Sequence, residues 1–336
     1  MMKIIVDGMG GDNAPVETVK GTVDAVNEYD IDAIIVGKEQ LIKEELNKYN
    51  YSTEKIQILN AENVISNDDD PALAIRRNKN SSLVVGLNAL KDGLGDGFIS
   101  AGSTGALLAG GLFIIKRIQG IDRAALTSVY PTSNGISLLV DAGANADCKP
   151  EYLRQFALMG TIYIENVLGK KNPKVGLVNI GTEEGKGNQL VKEAYELIKN
   201  ENLNFVGNVE GRSLPLGEVD VIVCDGFVGN VVLKLTEGMA ITIFSILKEA
   251  FMSNTKTKIG ASLLKPELSE IKKLMDYREY GGAPLLGTEL PIVKAHGSSD
   301  AYAIKNGIKQ LISFIEKDII KIIKNSLKQN ITKMEE

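Results

Sequence analysis

Tryptophan is absent from the 336 residues of this chain, histidine occurs once and cysteine twice. One histidine excludes every mechanism that needs a pair. Cys148 and Cys224 stand far apart with no CxxC spacing, which argues against a disulfide framework or a zinc cluster and fits a reducing, cytoplasmic compartment. Neither a metal nor a cofactor is expected. No uninterrupted apolar run reaches the ~18 to 20 residues that cross a bilayer, and the opening MMKIIVD reads as a strand rather than a signal sequence. The chain is therefore expected to be neither secreted nor integral to a membrane. Positive charge is also short: 38 Lys and Arg against 43 Asp and Glu leave a net charge of -5, so no nucleic acid partner is expected.

What is present is enough for a core, with 44% hydrophobic and 24% charged residues. Eight short β-rich runs, KIIVD (3 to 7), AIIVG (33 to 37), KIQIL (55 to 59), DGFIS (96 to 100), SLLVD (137 to 141), KVGLV (174 to 178), NFVGN (204 to 208) and DVIVC (220 to 224), alternate with helix-like stretches. That rhythm predicts an α/β fold, Rossmann-like, with a mostly parallel sheet flanked by helices. From about 226 to 277 the pattern turns almost wholly helical, with Pro266 near the start of a second helix, predicting a protruding helical pair. A terminal helical stretch over 299 to 331 places Leu311, Ile315, Ile319, Ile322 and Ile323 on one side. With no internal repeat and no low-complexity linker, residues 1 to 336 are expected to form one domain with a helical extension at about 248 to 278.

Five turns rich in small and polar residues follow the strands, and in open α/β sheets such turns converge on one crevice. DGMGGDNAP lacks the third glycine of a dinucleotide fingerprint, because Asn13 takes its place; it is either a tight packing turn or a crevice wall presenting Asp7, Asp12 and Asn13. GTEEGKGN (181 to 188) has too few residues between Gly181 and Gly185 for a Walker A loop. Lys186, the surrounding N–H groups and a helix starting at Asn188 still make it an anion-site candidate beside the plainer structural turn. SAGSTGALLAGG places Ser103 and Thr104 at a helix start, either as caps or as donors to a carbonyl oxygen. His296, in VKAHGSSD, follows a strand-like LPIV, and the loop leaves both a structural and a functional role open.

DGMGGDNAP, SAGSTGALLAG, DAGANADC, NIGTEEGKGN, EGR (210 to 212), DGFVGNVVLKLTEG, YGGAPLLG and VKAHGSSD, in this order, closely resemble the phosphate acyltransferases of bacterial phospholipid synthesis, the PlsX family. The likeness runs from Lys3 to about Phe314. It implies transfer of a fatty acyl group from acyl carrier protein to inorganic phosphate, giving acyl phosphate. It further implies a fold similar to phosphotransacetylase and isopropylmalate-dehydrogenase-like proteins, a homodimer, and peripheral contact with the inner face of the cell membrane, where a downstream membrane acyltransferase would follow. The first motif departs slightly, since an alanine commonly follows its first aspartate, and the fourth turn begins VNIG. On this footing His296, Asp225 and Lys186 are the expected catalytic residues. Asp7, Asn13, Ser103, Thr104, Asn145, Asn179, Gly185, Asn188, Asn230 and Lys234 are expected to bind phosphate or substrate. A decarboxylating dehydrogenase on a related fold would need a nucleotide fingerprint and metal carboxylates, which the sequence does not offer.

The chemistry suits these residues. Phosphate is already a competent oxygen nucleophile near neutral pH, so placement is the enzyme's main task. A thiolate with a free pKa near ~8.5 leaves without strong acid assistance. The stretch 248 to 278 carries seven bases and four acids, a local +3 in an acidic chain. Lys256, Lys258, Lys265, Lys272 and Lys273 lie among apolar residues such as Leu263 and Leu264, a pattern suited to an acidic carrier protein, an anionic membrane or a dimer interface.

Overall fold

The computed structural model describes residues 1–335. Its strands are β1 (Met2–Asp7), β2 (Ile31–Gly37), β3 (Ile56–Asn60), β4 (Gly97–Ser100), β5 (Ala125–Thr132), β6 (Gly135–Val140), β7 (Val175–Asn179), β8 (Phe205–Glu210), β9 (Val221–Val223), β10 (Ala283–Leu286) and β11 (Ile292–Lys294). The helices are α1 (Val16–Glu28), α2 (Glu39–Leu46), α3 (Pro71–Arg77), α4 (Ser82–Lys91), α5 (Thr104–Gly110), α6 (Pro150–Val167), α7 (Gln189–Lys199), α8 (Gly226–Met252), α9 (Thr255–Leu263), α10 (Lys265–Leu274), α11 (Ala301–Glu316) and α12 (Ile319–Glu335). All eight predicted β runs are strands, and every strand joins one sheet in the order β3-β2-β1-β4-β11-β10-β5-β6-β9-β7-β8.

The sheet is two parallel blocks joined by an antiparallel seam. β3, β2, β1, β4 and β11 run parallel, as do β6, β9, β7 and β8. Between the blocks, β11 pairs antiparallel with β10, β10 with β5, and β5 with β6. The seam contains the strands that the sequence pattern misses: β5 carries Pro131 and β10 carries Pro284, and proline inside a run argues against a strand.

Alternation along each strand sends side chains to both faces. In β1, Ile4 and Val6 join the core cluster that α1, α6 and α11 also feed, while Ile5 joins the separate cluster fed by α4 and α5. Ile4, Ile5, Phe98 and Phe156 are fully buried, each contributing roughly 1.5–3 kcal/mol of apolar transfer. α11 buries Ile304, Ile308 and Leu311 at helical spacing against α1. The terminal stretch is two helices, because Asp318 sits in the left-handed region (φ 49°) and ends the first of them.

The 226–277 region departs from the expected pair: three helices follow one another. α8 is 27 residues long, Asn254 caps α9 in a reciprocal pair with Thr257, and Pro266 lies in the first turn of α10. α8 also corrects the reading of apolar runs. Although Lys234 and Glu237 interrupt its sequence, the helix is long and apolar enough, by length and composition alone, to cross a membrane, and its apolar stretch is not buried in the molecule.

Candidate functional site

The carboxyl ends of the central strands open onto a cleft with a cavity volume of about 420 Å³. Leu126 and Val129 of β5, Leu233 and Ala240 of α8, and Met275 beyond α10 give it apolar walls. Lys234, Lys294 and His296 bring basic groups to the same cavity, with Thr104 at the start of α5 and Asn230 one turn before Lys234.

Each basic group is held by its element. Lys294 ends β11, in register with Ser100 of β4, so its ammonium lies at the sheet's centre and its side chain is buried. Burial pulls its pKa down to about 8, against the attraction of Asp7 and Asp12, and Nζ donates to the carbonyl of Ala295. His296 follows two residues later, where the chain leaves the sheet. The Ser298 N–H donates to His296 Nδ1 (3.2 Å). Nε2 then lies 3.4 Å from Lys234 Nζ. Partial burial, and then the Lys234 charge, hold the imidazole below its ordinary pKa. The Lys234 ammonium and the His296 ring thus meet in the lining of the cleft. Lys234 also lies 3.7 Å from Glu237.

The turn after β6 supports the cleft from below. Asp141, fully buried, accepts from the N–H groups of Leu126, Gly143, Ala144 and Asn145 and from Asn145 Nδ2. Burial nevertheless pushes its carboxyl up. Gly229 lets α8 rest on this turn: a Cβ there would stand 1.8 Å from the Asp141 carbonyl oxygen. Cys148 is pushed up to about 12 by burial and by Asp141 and Asp225, and buried Cys224 rises too, so neither thiol is a nucleophile near neutral pH.

The residues expected from sequence divide into groups. Thr104, Asn230, Lys234 and His296 line the cleft, while Asp7 and Ser103 line a second, smaller cavity beside it. Asn13 Nδ2 donates to the Ser298 carbonyl (3.4 Å), tying the first turn to the His296 loop. Asp225 caps α8, accepting from Val228 N (2.8 Å), and Asn145 Nδ2 also donates to the Ala124 carbonyl; both belong to the framework that aims α8. Lys186, Gly185, Asn179 and Asn188 form the β7–α7 turn and line neither cavity. There Asn179 donates to the Lys186 carbonyl and Asn188 caps α7 through Val191 N. Gly187, at φ 93°, leaves no room for a Cβ beside Asn179. Lys256, Lys258, Lys265, Lys272 and Lys273 are exposed on α9 and α10, with Leu263 and Leu264 exposed between them.

Lys294 was not singled out by sequence reasoning. Its signal is a lysine inside the apolar run PIVKA, since lysine is almost never fully buried without a partner or a task. Among the described residues no group of three His, Cys, Asp or Glu side chains converges to hold a metal ion.

Residues 2–322 match the family model described as "Fatty acid synthesis protein". The chain is 58% identical over 322 residues to a phosphate acyltransferase of Alkaliphilus oremlandii (strain OhILAs), covering 96% of both chains. It is 56% identical over 327 residues to a phosphate acyltransferase of Clostridium tetani (strain Massachusetts / E88), covering 97% of this chain and 98% of that one. Among solved structures, a phosphotransacetylase from Streptococcus pyogenes shares the fold at a TM-score of 0.65 and 18% identity, covering 94% of each chain.

Proposed function

This chain belongs to the phosphate acyltransferase family and is an acyltransferase of lipid synthesis, and on that premise we propose that its cleft moves a fatty acyl group from an acyl carrier protein thioester to inorganic phosphate. A phosphate oxygen attacks the thioester carbonyl carbon, the C–S bond breaks, and the carrier leaves as a thiolate that takes up a proton from water. The products are acyl phosphate and free carrier. The observation that carries this reading is the union, in one cleft, of apolar walls with three converging basic groups, Lys234, Lys294 and His296.

In this reading Lys294 and Lys234 neutralise the phosphate and His296 Nε2–H fixes one of its oxygens. The Thr104 hydroxyl faces the oxyanion that develops on the carbonyl, a donor position worth roughly 3–4 kcal/mol in such sites. The acyl tail lies along Leu126, Val129, Leu233 and Ala240. Asp225 acts by aiming α8, and with it Asn230 and Lys234.

The same reading extends to the surface. Phe227, Leu235, Ile241 and Ile246 stand exposed along α8, an apolar length that fits burial against a second copy in a homodimer. The lysines and exposed leucines of α9 and α10 fit reversible docking on the inner face of an anionic membrane, beside a downstream membrane acyltransferase. In this reading the enzyme is cytoplasmic and peripheral to the membrane, and the unbroken sheet fits one domain.

The test is to mix the protein with fatty-acyl carrier protein and phosphate and trap acyl phosphate with hydroxylamine. Hydroxamate that forms only when phosphate is present is the expected result. Thioester loss without phosphate dependence would overturn the reading.

A further inference from the structure

Three neighbouring strands end on a row of polar residues. Lys294 of β11 is in register with Ser100 of β4, and Asp7 of β1 stands one residue beyond the Val6–Ile99 pair, beside Ser100 on its other flank. In-register residues of adjacent strands share a face. Asp7, Ser100 and Lys294 therefore form one line across β1, β4 and β11, and all three are buried. Ser100 is the middle member, donating to Asp7 Oδ2 (2.7 Å) and accepting from Gly102 N (3.0 Å).

Burial pushes the Asp7 carboxyl up, while the hydroxyls of Ser82 and Ser100 and the N–H of Met9 favour its charged form. Lys294 has the complementary problem: burial disfavours its charge, and Asp7 and then Asp12 favour it, against the repulsion of Lys234 on α8 and of the His296 ring when charged. Glu237 sits beyond Lys234, at 3.7 Å from it. Of the two acids, Asp12 is exposed on the first turn, where water and salt screen it, so the effective countercharge is buried Asp7. The two partners face different chambers. Lys294 lines the cleft, and Asp7 lines the smaller cavity of about 210 Å³ beside it. An anion in the cleft would meet the ammonium and be spared the carboxylate, whereas direct contact of Asp7 with phosphate would set like charges together.

We propose that Asp7 is a positioning residue of the reaction that acts through Lys294: set two strands back, it keeps the ammonium charged for phosphate and does not itself touch the anion. This inference rests on the proposed seating of phosphate at Lys294. Strand spacing puts the two Cα positions roughly 9–10 Å apart, with Ser100 between them. A carboxylate held at that remove sustains the lysine's charge while leaving the ammonium available to a ligand.

The experiment follows the Cε resonance of Lys294 by NMR through a pH titration of the whole, lysine-labelled protein, with the resonance assigned by its absence from Lys294→Met. Phosphate KM is measured in parallel near pH ~6 and pH ~8. Asp7→Asn removes the charge and keeps the size, so the Lys294 midpoint should fall from about 8 by roughly one pH unit or more. Phosphate KM should then be about fivefold the parent's near pH ~8 and close to the parent's near pH ~6, since phosphate's own titration is common to both proteins. Asp12→Asn, on the exposed turn, should move the midpoint far less. Ser100→Ala takes a donor from the Asp7 carboxylate and should move it in the same direction as Asp7→Asn, which keeps the test open should the latter fail to fold. A midpoint unmoved in Asp7→Asn, or in Ser100→Ala should it alone fold, would overturn the inference. So would an equal shift in Asp12→Asn, or a phosphate KM raised equally at both pH values, the mark of a merely structural role. A midpoint that falls while phosphate KM stays at the parent's value throughout would uphold the charge coupling and remove phosphate from Lys294, so failure of the proposed seating is read apart from failure of the coupling.

Discussion

Lys294 is a buried base whose charge the protein tolerates at a cost. Its pKa in the fold is about 8, while an unfolded lysine titrates near ~10.4, so between those values the unfolded chain binds the extra proton and stability rises with pH. Lys294→Met should abolish that rise and stabilise the protein near pH 7 by on the order of 3 kcal/mol, read as an increase in Tm. The same change should raise KM for phosphate at least tenfold. In the parent, affinity for phosphate should fall above pH ~8 as Lys294 loses its proton, and a flat profile would separate Lys294 from the anion. Lys186→Met, on the outer turn, provides the contrast: a phosphate KM equal to the parent's would remove Lys186 from the site, and a large rise would place the anion there instead.

His296 carries a second prediction at this scale. Because Ser298 N–H occupies Nδ1, Nε2, beside Lys234, is the ring nitrogen that the proposed anion would meet. His296→Gln retains an N–H donor and should keep part of the activity that His296→Ala loses. Equal and full activity of both variants would make the residue structural.

At the scale of elements, α8 reaches the cleft because Gly229 lets it touch the Asp141 turn. Gly229→Ala would drive a methyl group into the Asp141 carbonyl oxygen, and overpacking of this kind costs about 1–3 kcal/mol. Both Tm and turnover should drop, because Asn230 and Lys234 move with the helix; an unchanged Tm would mean that the turn yields freely. Further along, Leu263→Glu and Leu264→Glu should release the protein from anionic vesicles in a flotation assay while soluble turnover persists. Flotation insensitive both to these changes and to salt would assign the tip to another partner.

Much of this was legible in the sequence, for identifiable reasons. The eight parallel runs announce themselves because their β-branched residues end in turns of small and polar residues. β5 and β10 do not, because Pro131 and Pro284 occupy positions in an antiparallel seam that a local pattern cannot foresee. Among the residues expected from sequence, Asn230, Lys234, Thr104 and His296 follow turns that reach the cleft, and they line it. The glycine turn around Lys186 has the composition of an anion site, but strand order places it on β7, one strand away from the sheet's edge and outside the cleft lining. Lys294 escaped because a strand, unlike a turn, gives no compositional warning that one of its members faces a cavity.

For the whole molecule, the exposed apolar length of α8 decides its social behaviour. If two copies cover it mutually, Tm should rise with protein concentration, as mass action requires of any association that favours the folded state. A Tm constant over a hundredfold dilution, together with a monomeric mass in sedimentation, would leave α8 for another partner.

The antiparallel seam has a consequence in time as well as in space. β4 and β5 are made early, yet β5 lacks its neighbour β10 until the chain has passed residue 286, and β4 lacks β11 until it has passed residue 294. Until then a growing chain has two half-sheets with open edges, and pairings of such large sequence separation are slow to form. Lys294 and His296 belong to that late segment. The same stretch of chain that closes the sheet therefore brings in two of the cleft's three basic groups, and a chain interrupted during synthesis would lack most of the proposed anion seat along with the keystone of its sheet.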